Sequence, residues 1–161
     1  MCYDPVITEE VAAAVGAEFV DLVVLLSQSD IITLHAPLNA GTRGMINRRV
    51  LGLVKKGAIL VNPARGGLME SLDVVYEALE SGRLSAVGLD VFPVEPPDLS
   101  HAIFGHPRVL FTPHAIGLSV KGAQAIFAMA SKGMAEVLEG RVPENVVNPE
   151  VFRNGLRGSA G

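Results

Sequence analysis

Three groups suited to acid recognition and proton transfer lie just beyond short apolar runs. They are Arg65 in Asn62-Pro63-Ala64-Arg65-Gly66-Gly67, Glu95 in Asp90-Val91-Phe92-Pro93-Val94-Glu95-Pro96, and His114 in Thr112-Pro113-His114. A guanidinium presents a planar fork that grips a carboxylate through two hydrogen bonds. An imidazole gives or takes a proton near neutral pH, and a neighbouring carboxylate favours its protonated form. Taken singly, each is an ordinary residue: a solvated arginine, a surface glutamate, a histidine at a strand end. Taken together, three complementary roles recur at three successive strand ends, where an open α/β sheet gathers its ligand-binding groups. Gly66 and Gly67 let the backbone turn sharply, so that the arginine can face the mouth of the sheet.

The elements that must position these groups follow from short apolar runs alternating with helical periods, the pattern of parallel βαβ construction. Strands are expected over residues 31–35, 58–62, 86–91 and 109–112, each apolar on successive residues, as in a strand covered on both faces. Helices are expected over residues 9–15 and 48–54. Another falls between Ser71 and Gly82, with Leu72, Val75, Tyr76 and Leu79 at helical spacing. A longer helix follows Ser119 and ends near Gly140; its stripe of Ala123, Ile126, Phe127, Ala130, Met134, Val137 and Leu138 reads as core packing. The fold class expected is a parallel Rossmann-type sheet with flanking helices.

Composition narrows the function. The chain has 161 residues, 49% of them hydrophobic, enough for one domain with a sizeable core. A net charge of -4 and thirteen scattered Lys and Arg give no footprint for a phosphate backbone, so nucleic acid is not an expected partner. No apolar run approaches the roughly 18 residues of a membrane span, and Cys2 is a lone cysteine without an internal disulfide partner. The expectation is a cytoplasmic protein without membrane contact.

Other candidates are weaker. His35 ends a strand and lines the same mouth or serves the structure, with neither reading favoured. His101 and His106 flank a loop and read as exposed loop residues. The histidines are neither paired at helical spacing nor joined by a cysteine cluster, so no metal site is expected. No Gly-x-Ser-x-Gly elbow is present to support a serine hydrolase. Cys2-Tyr3-Asp4-Pro5 reads as a strand end finished by an acid, the place where a dinucleotide-binding fold holds ribose hydroxyls. As a lone signal, Asp4 before a proline is also an ordinary turn residue.

These motifs, with Ser29-Asp30-Ile31-Ile32-Thr33-Leu34-His35-Ala36-Pro37-Leu38, Thr42-Arg43-Gly44-Met45-Ile46-Asn47 and Asn145-Val146-Val147-Asn148-Pro149, resemble the D-isomer-specific 2-hydroxyacid dehydrogenases. The family includes D-3-phosphoglycerate, glycerate and D-lactate dehydrogenases. The resemblance implies NAD-linked hydride exchange between a small 2-hydroxy acid and its 2-keto acid. By position it makes Arg65 the substrate-carboxylate clamp, His114 the general acid/base and Glu95 its partner. Asp4 would bind the adenosine ribose. His35, Ala36, Pro37, Thr42, the Pro63-Ala64-Arg65 backbone, Asp90, His114 and Gly117 would line the NAD cleft, with Asp90 near the nicotinamide amide. Pro63 departs from the usual Thr, Cys or Val, Ile116 stands at a position usually held by glycine, and Ser71, at a commonly acidic position, reads as a helix cap.

The 161 residues contain no Gly-x-Gly-x-x-Gly phosphate-binding run. The resemblance therefore implies that residues 1–152 are the C-terminal portion of a Rossmann domain together with the start of a returning segment. The first strand and glycine-rich loop would be missing, and residues 153–161 would form a disordered tail. The expectation is a fragment of an oxidoreductase, inactive alone, that forms a homo-oligomer or strand-exchanged dimer through open sheet edges. A second reading is a dinucleotide-sensing, corepressor-like interaction protein, since such proteins keep the same triad. The ordinary loops and the pI near 5.5 favour the enzyme.

Overall fold

A computed structural model describes residues 1–152; the expected tail, residues 153–161, lies outside the described residues. The chain divides into two compact units, one spanning residues 1–116 and the other beginning at Gly117.

In the first unit β1 (Ile31–Thr33), β2 (Ala58–Asn62), β3 (Leu84–Leu89) and β4 (Val109–Phe111) form one sheet in sequential order, every pair parallel. All four expected strands are found, within one or two residues at most ends. The register aligns Ile31 with Ile59 and Ile59 with Ala86, then Leu89 with Phe111. Cys2 and Phe19 make an isolated parallel bridge outside this sheet.

The connections carry α3 (Arg48–Leu53) between β1 and β2, α4 (Leu72–Glu80) between β2 and β3, and a 3-10 turn at Ala102–Gly105 between β3 and β4. Asn47 caps α3 by accepting from the Val50 amide at 3.0 Å, and Ser71 caps α4 by accepting from the Val74 amide at 3.3 Å. Ser71 is thus the helix cap that the sequence suggests. Ahead of the sheet come α1 (Glu9–Ala14) and α2 (Leu22–Gln28). The latter escapes a periodicity reading because Leu22-Val23-Val24-Leu25-Leu26 is unbroken apolar sequence.

The expectation of strands covered on both faces fails for the edge strands β1 and β4, while β2 and β3 have no exposed residue. Ile32, Leu34, Leu60, Val87 and Leu89 are buried with Val50, Leu51, Val75 and Leu79 in one core, whereas Ile31 is 63% and Leu110 72% exposed on the other side. Strand order explains this. When strands follow one another in one direction and each crossover is right-handed, all the connecting helices fall on one side.

Within the second unit, α5 (Val120–Leu138) begins at Ser119, whose hydroxyl accepts from the Gly122 amide at 2.9 Å. Its extent matches the expected helix, but the stripe read as core packing does not hold. Ile126, Phe127, Met134, Val137 and Leu138 are exposed. Amphipathic spacing specifies a face, not the presence of something packed against it. Lys132 bonds Glu144 at 2.9 Å, and Arg141 pairs with Glu136 at 3.3 Å, fastening the returning chain to the helix. No helix among the described residues is long and apolar enough to cross a membrane.

Leu79→Ala, at a fully buried position, should lower stability by about 2–5 kcal/mol, whereas Phe127→Ala should change it by no more than about 0.5 kcal/mol. Urea midpoints of the two variants against the parent chain check both.

Candidate active site

The site is built where β2, β3 and β4 end level. The Asp90 amide donates to the Asn62 carbonyl at 3.1 Å and the Thr112 amide to the Leu89 carbonyl at 3.0 Å, carrying the parallel ladder one step past the strands. Arg65, Glu95 and His114 follow these strand ends by a few residues, so all three leave the sheet from one rim.

The Arg65 turn is organised by Asn62, which is fully buried. Its side-chain amide donates to the Arg65 carbonyl at 3.0 Å, and its oxygen accepts from the Ala64 amide at 3.1 Å. One side chain thereby satisfies a turn in which Pro63 contributes no N–H. The 3-10 turn Gly66–Leu68 is then clamped from two sides. A Cβ at Gly66 would lie 1.9 Å from the carbonyl carbon and oxygen of Phe92, and one at Gly67 would lie 2.8 Å from the Leu38 side chain. Gly66 is therefore required by close backbone approach, which ties the arginine loop to the loop that carries Glu95. Gly44 donates to the Gly67 carbonyl and Ile46 to the Leu68 carbonyl, each at 2.9 Å, locking the segment after Thr42 to the same turn. Thr42 itself is buried and donates its hydroxyl to the Pro37 carbonyl at 2.6 Å. The Arg65 guanidinium is exposed and makes a local bond to the Ala64 carbonyl at 2.7 Å, free to exchange it for a charged partner.

Glu95 and His114 are in direct contact. Glu95 accepts from the His114 Nδ1 through one carboxylate oxygen at 2.9 Å and from the Phe92 amide through the other at 2.9 Å. Phe92 is held in turn by aromatic packing on Phe104 and Phe111, with centroids 5.6 and 6.1 Å away. The Phe92 amide and then the His114 ring hold the Glu95 carboxyl below its usual range, against a small opposing effect of burial. With Nδ1 held by Glu95, Nε2 is the ring atom left to exchange a proton, and the imidazole is half exposed.

Asp90 is 3% exposed. It accepts from the Thr112 hydroxyl at 2.5 Å, the Ala115 amide at 2.9 Å and the Ile116 amide at 3.1 Å. Burial pushes its carboxyl up, but these three donors outweigh burial and hold it below the usual aspartate range.

Among the remaining candidates, Asp4 is half-buried, with one oxygen accepting from the Val6 amide at 2.8 Å and the other without a partner among the described residues. His35 is exposed, its Nε2 3.0 Å from the Thr33 hydroxyl. Ala36 is half-buried and Pro37 exposed in the segment after β1. Gly117 belongs to the second unit. The reading of His101 and His106 as exposed loop residues is corrected: their side chains are only 23% and 7% exposed. Each ring accepts a backbone N–H at Nδ1, from Ile103 and Arg108, and each Nε2 faces an acid of α4, Asp73 at 3.1 Å and Glu80 at 3.2 Å. Tyr76 stands edge-on to both rings. They fasten the 3-10 turn to α4. No group of three or more potential metal ligands occurs among the described residues.

Residues 1–115 match the NAD-binding domain of the D-isomer-specific 2-hydroxyacid dehydrogenases. The chain belongs to this family. It is 42% identical over 147 residues to a D-3-phosphoglycerate dehydrogenase of Methanocaldococcus jannaschii, covering 91% of this chain and 28% of that one. It is 37% identical over 144 residues to a glyoxylate reductase of Aeropyrum pernix, covering 89% and 43%. Its fold matches the apo structure of D-lactate dehydrogenase from Escherichia coli with a TM-score of 0.80 at 29% identity, covering 89% of this chain and 45% of that one. The chain spans less than half the length of these family members.

The donor set suits the two ends of NAD. Asp4 offers a carboxylate oxygen, without a hydrogen-bond partner among the described residues, of the kind that takes ribose hydroxyls, and Pro63 and Ala64 follow directly on the end of β2. For the pyrophosphate between those ends, the sequence supplies no glycine-rich turn.

Gly66→Ala should destabilise the chain by about 3 kcal/mol or more, since a backbone rather than a flexible side chain must give way. Loss of the cooperative thermal transition at the parent melting temperature is the readout. The depressed Glu95 carboxyl stabilises the folded state above the ordinary glutamate range and ceases to do so as pH falls through its lower folded value. Glu95→Gln should therefore differ most from the parent above the ordinary glutamate range and converge with it as pH falls below that range in urea melts.

Proposed function

We propose that these residues form the proton-transferring and carboxylate-binding half of an NAD-dependent D-2-hydroxyacid dehydrogenase. The observation that carries this reading is the 2.9 Å contact between His114 Nδ1 and Glu95, set at the rim from which Arg65 also projects. Arg65 forms a two-pronged bond to the substrate carboxylate and draws electron density from the adjacent carbonyl. His114 delivers a proton from Nε2 to the carbonyl oxygen in reduction and removes it from the hydroxyl in oxidation. Glu95 fixes the ring orientation and stabilises the imidazolium. NAD(H), when bound, supplies or accepts the hydride. Asp4 takes the adenosine ribose, and Ala36, Pro37, Thr42, Pro63, Ala64, Asp90 and Gly117 are assigned to the cofactor cleft, with His35 at its mouth.

The substrate is a small 2-keto or 2-hydroxy acid. Relatives of this chain named for phosphoglycerate, glyoxylate and hydroxypyruvate chemistry share that α-oxygenated carboxylate and differ in the rest of the molecule. The 161 residues alone are proposed to be inactive, because they contain no Gly-x-Gly-x-x-Gly run of the kind that holds a pyrophosphate. The protein is proposed to be cytoplasmic and to self-associate. The outer edges of β1 and β4 and the exposed Ile31 and Leu110 support an oligomer, by edge pairing or strand exchange.

The purified 161-residue chain should give no NADH oxidation with glyoxylate, pyruvate or hydroxypyruvate; turnover would refute its incompetence. In a longer protein carrying these residues behind a glycine-rich βα unit, Arg65→Ala and His114→Ala should each lower kcat/KM by roughly 10²–10⁴-fold. Unchanged rates in both variants would end the assignment. Light scattering should find at least a dimer, and a stable monomer would count against self-association.

A further inference from the structure

We propose that Thr112 is a positioning residue for the His114 imidazole, acting through the buried Asp90 carboxylate. His114 is the non-glycine residue with a positive φ, +53°, among the described residues. An L-residue adopts that conformation singly and at a cost, so surrounding bonds must hold it there. Those bonds come from the two sides of His114 and converge on one carboxylate. Before the histidine, the Thr112 hydroxyl donates to Asp90 Oδ1 at 2.5 Å; after it, the Ala115 amide donates to the same oxygen at 2.9 Å and the Ile116 amide to Oδ2 at 3.1 Å. The His114 amide closes the turn on the Thr112 carbonyl at 3.0 Å.

Asp90 is a firm anchor because its own amide is bonded to Asn62 and its side chain is buried. The carboxylate can only accept, and its three donors pin residues 112, 115 and 116 while leaving the histidine side chain outward. That is the direction in which Nδ1 meets Glu95. Thr112 is the one of the three donors that uses a side chain, so it alone can be removed by substitution without touching the backbone. Its hydroxyl closes the loop before the strained residue as the two amides close it behind. Without it the left-handed turn is anchored from one side.

This inference rests on reading His114 as the proton donor, but its test measures ring geometry in the absence of substrate. The two ideas therefore fail separately. The experiment is nitrogen and proton NMR of the 161-residue chain with labelled histidine, comparing the parent, Thr112→Val and Thr112→Ser. In the parent, the His114 Nδ1 proton should be visible at low temperature, and a strong contact between the His114 amide and its own Hα should mark the left-handed conformation. Thr112→Val should speed exchange of the ring proton by roughly tenfold or more and weaken that contact, with the methyl signals of Leu79 and Val75 unmoved. Thr112→Ser, which keeps the hydroxyl, should restore both. Exchange in Thr112→Val that matches the parent, or no rescue by serine, would overturn the proposal. A second measurement needs no variant: the Ala115 and Ile116 amides should be protected from hydrogen exchange in the parent chain, and exchange at free-peptide rates would overturn it as well.

Discussion

Three parallel strands ending level is the constraint on which everything else in the first unit depends. The ladder runs from Asn62, the last residue of β2, to Asp90 and Thr112, each one residue beyond β3 and β4; Asn62 turns its side chain to the loop that follows it, and Asp90 turns its own to Thr112 and the turn after β4. Asn62 shapes the arginine turn, Asp90 shapes the histidine turn, and Thr112 joins the two sides of the latter. A slip of one residue in the β3–β4 register would turn Asp90 and Thr112, which share a face, to opposite faces. The parallel register is thus a structural decision and a chemical one.

Between the three loops the connections are of different kinds. Gly66 against the Phe92 backbone is a steric fit with no room for adjustment, whereas the contact of Glu95 with His114 is electrostatic and hydrogen-bonded. The aromatic packing of Phe92, Phe104 and Phe111 links the loop after β3 to β4 without polar specificity. Rigid packing thus fixes where the acid sits, and the hydrogen bond fixes which way the imidazole turns. An exposed, locally bonded Arg65 completes the set as the member with freedom to move toward a ligand.

Much of this was legible in the sequence because each element carries its own signature. Apolar runs located the four strands, Ser71 and Ser119 stood at helix starts, and the chemistry-bearing residues followed strand ends. What was not legible needed three dimensions. Asn62 and Thr112 look like any polar residues at the ends of apolar runs, and only the register brings Thr112 to Asp90 across 22 positions. His101 and His106 sit in a stretch of loop-like composition, and nothing local reveals that Asp73, Tyr76 and Glu80 of α4 lie beneath them. The apolar stripe of α5 and the successive apolar residues of the edge strands specify surfaces suited to burial without stating what covers them. Sequence patterning states what a surface would accept, and strand order decides what arrives.

The bare side of the sheet has a thermodynamic consequence. Heat capacity rises on unfolding in proportion to the apolar area newly wetted. In a single, unassociated copy Ile31 and Leu110 meet solvent before unfolding, as do parts of Ile59 and Val61. Melting the first unit therefore wets less oily surface than its length suggests, which flattens the curve of stability against temperature and moves cold denaturation further from reach.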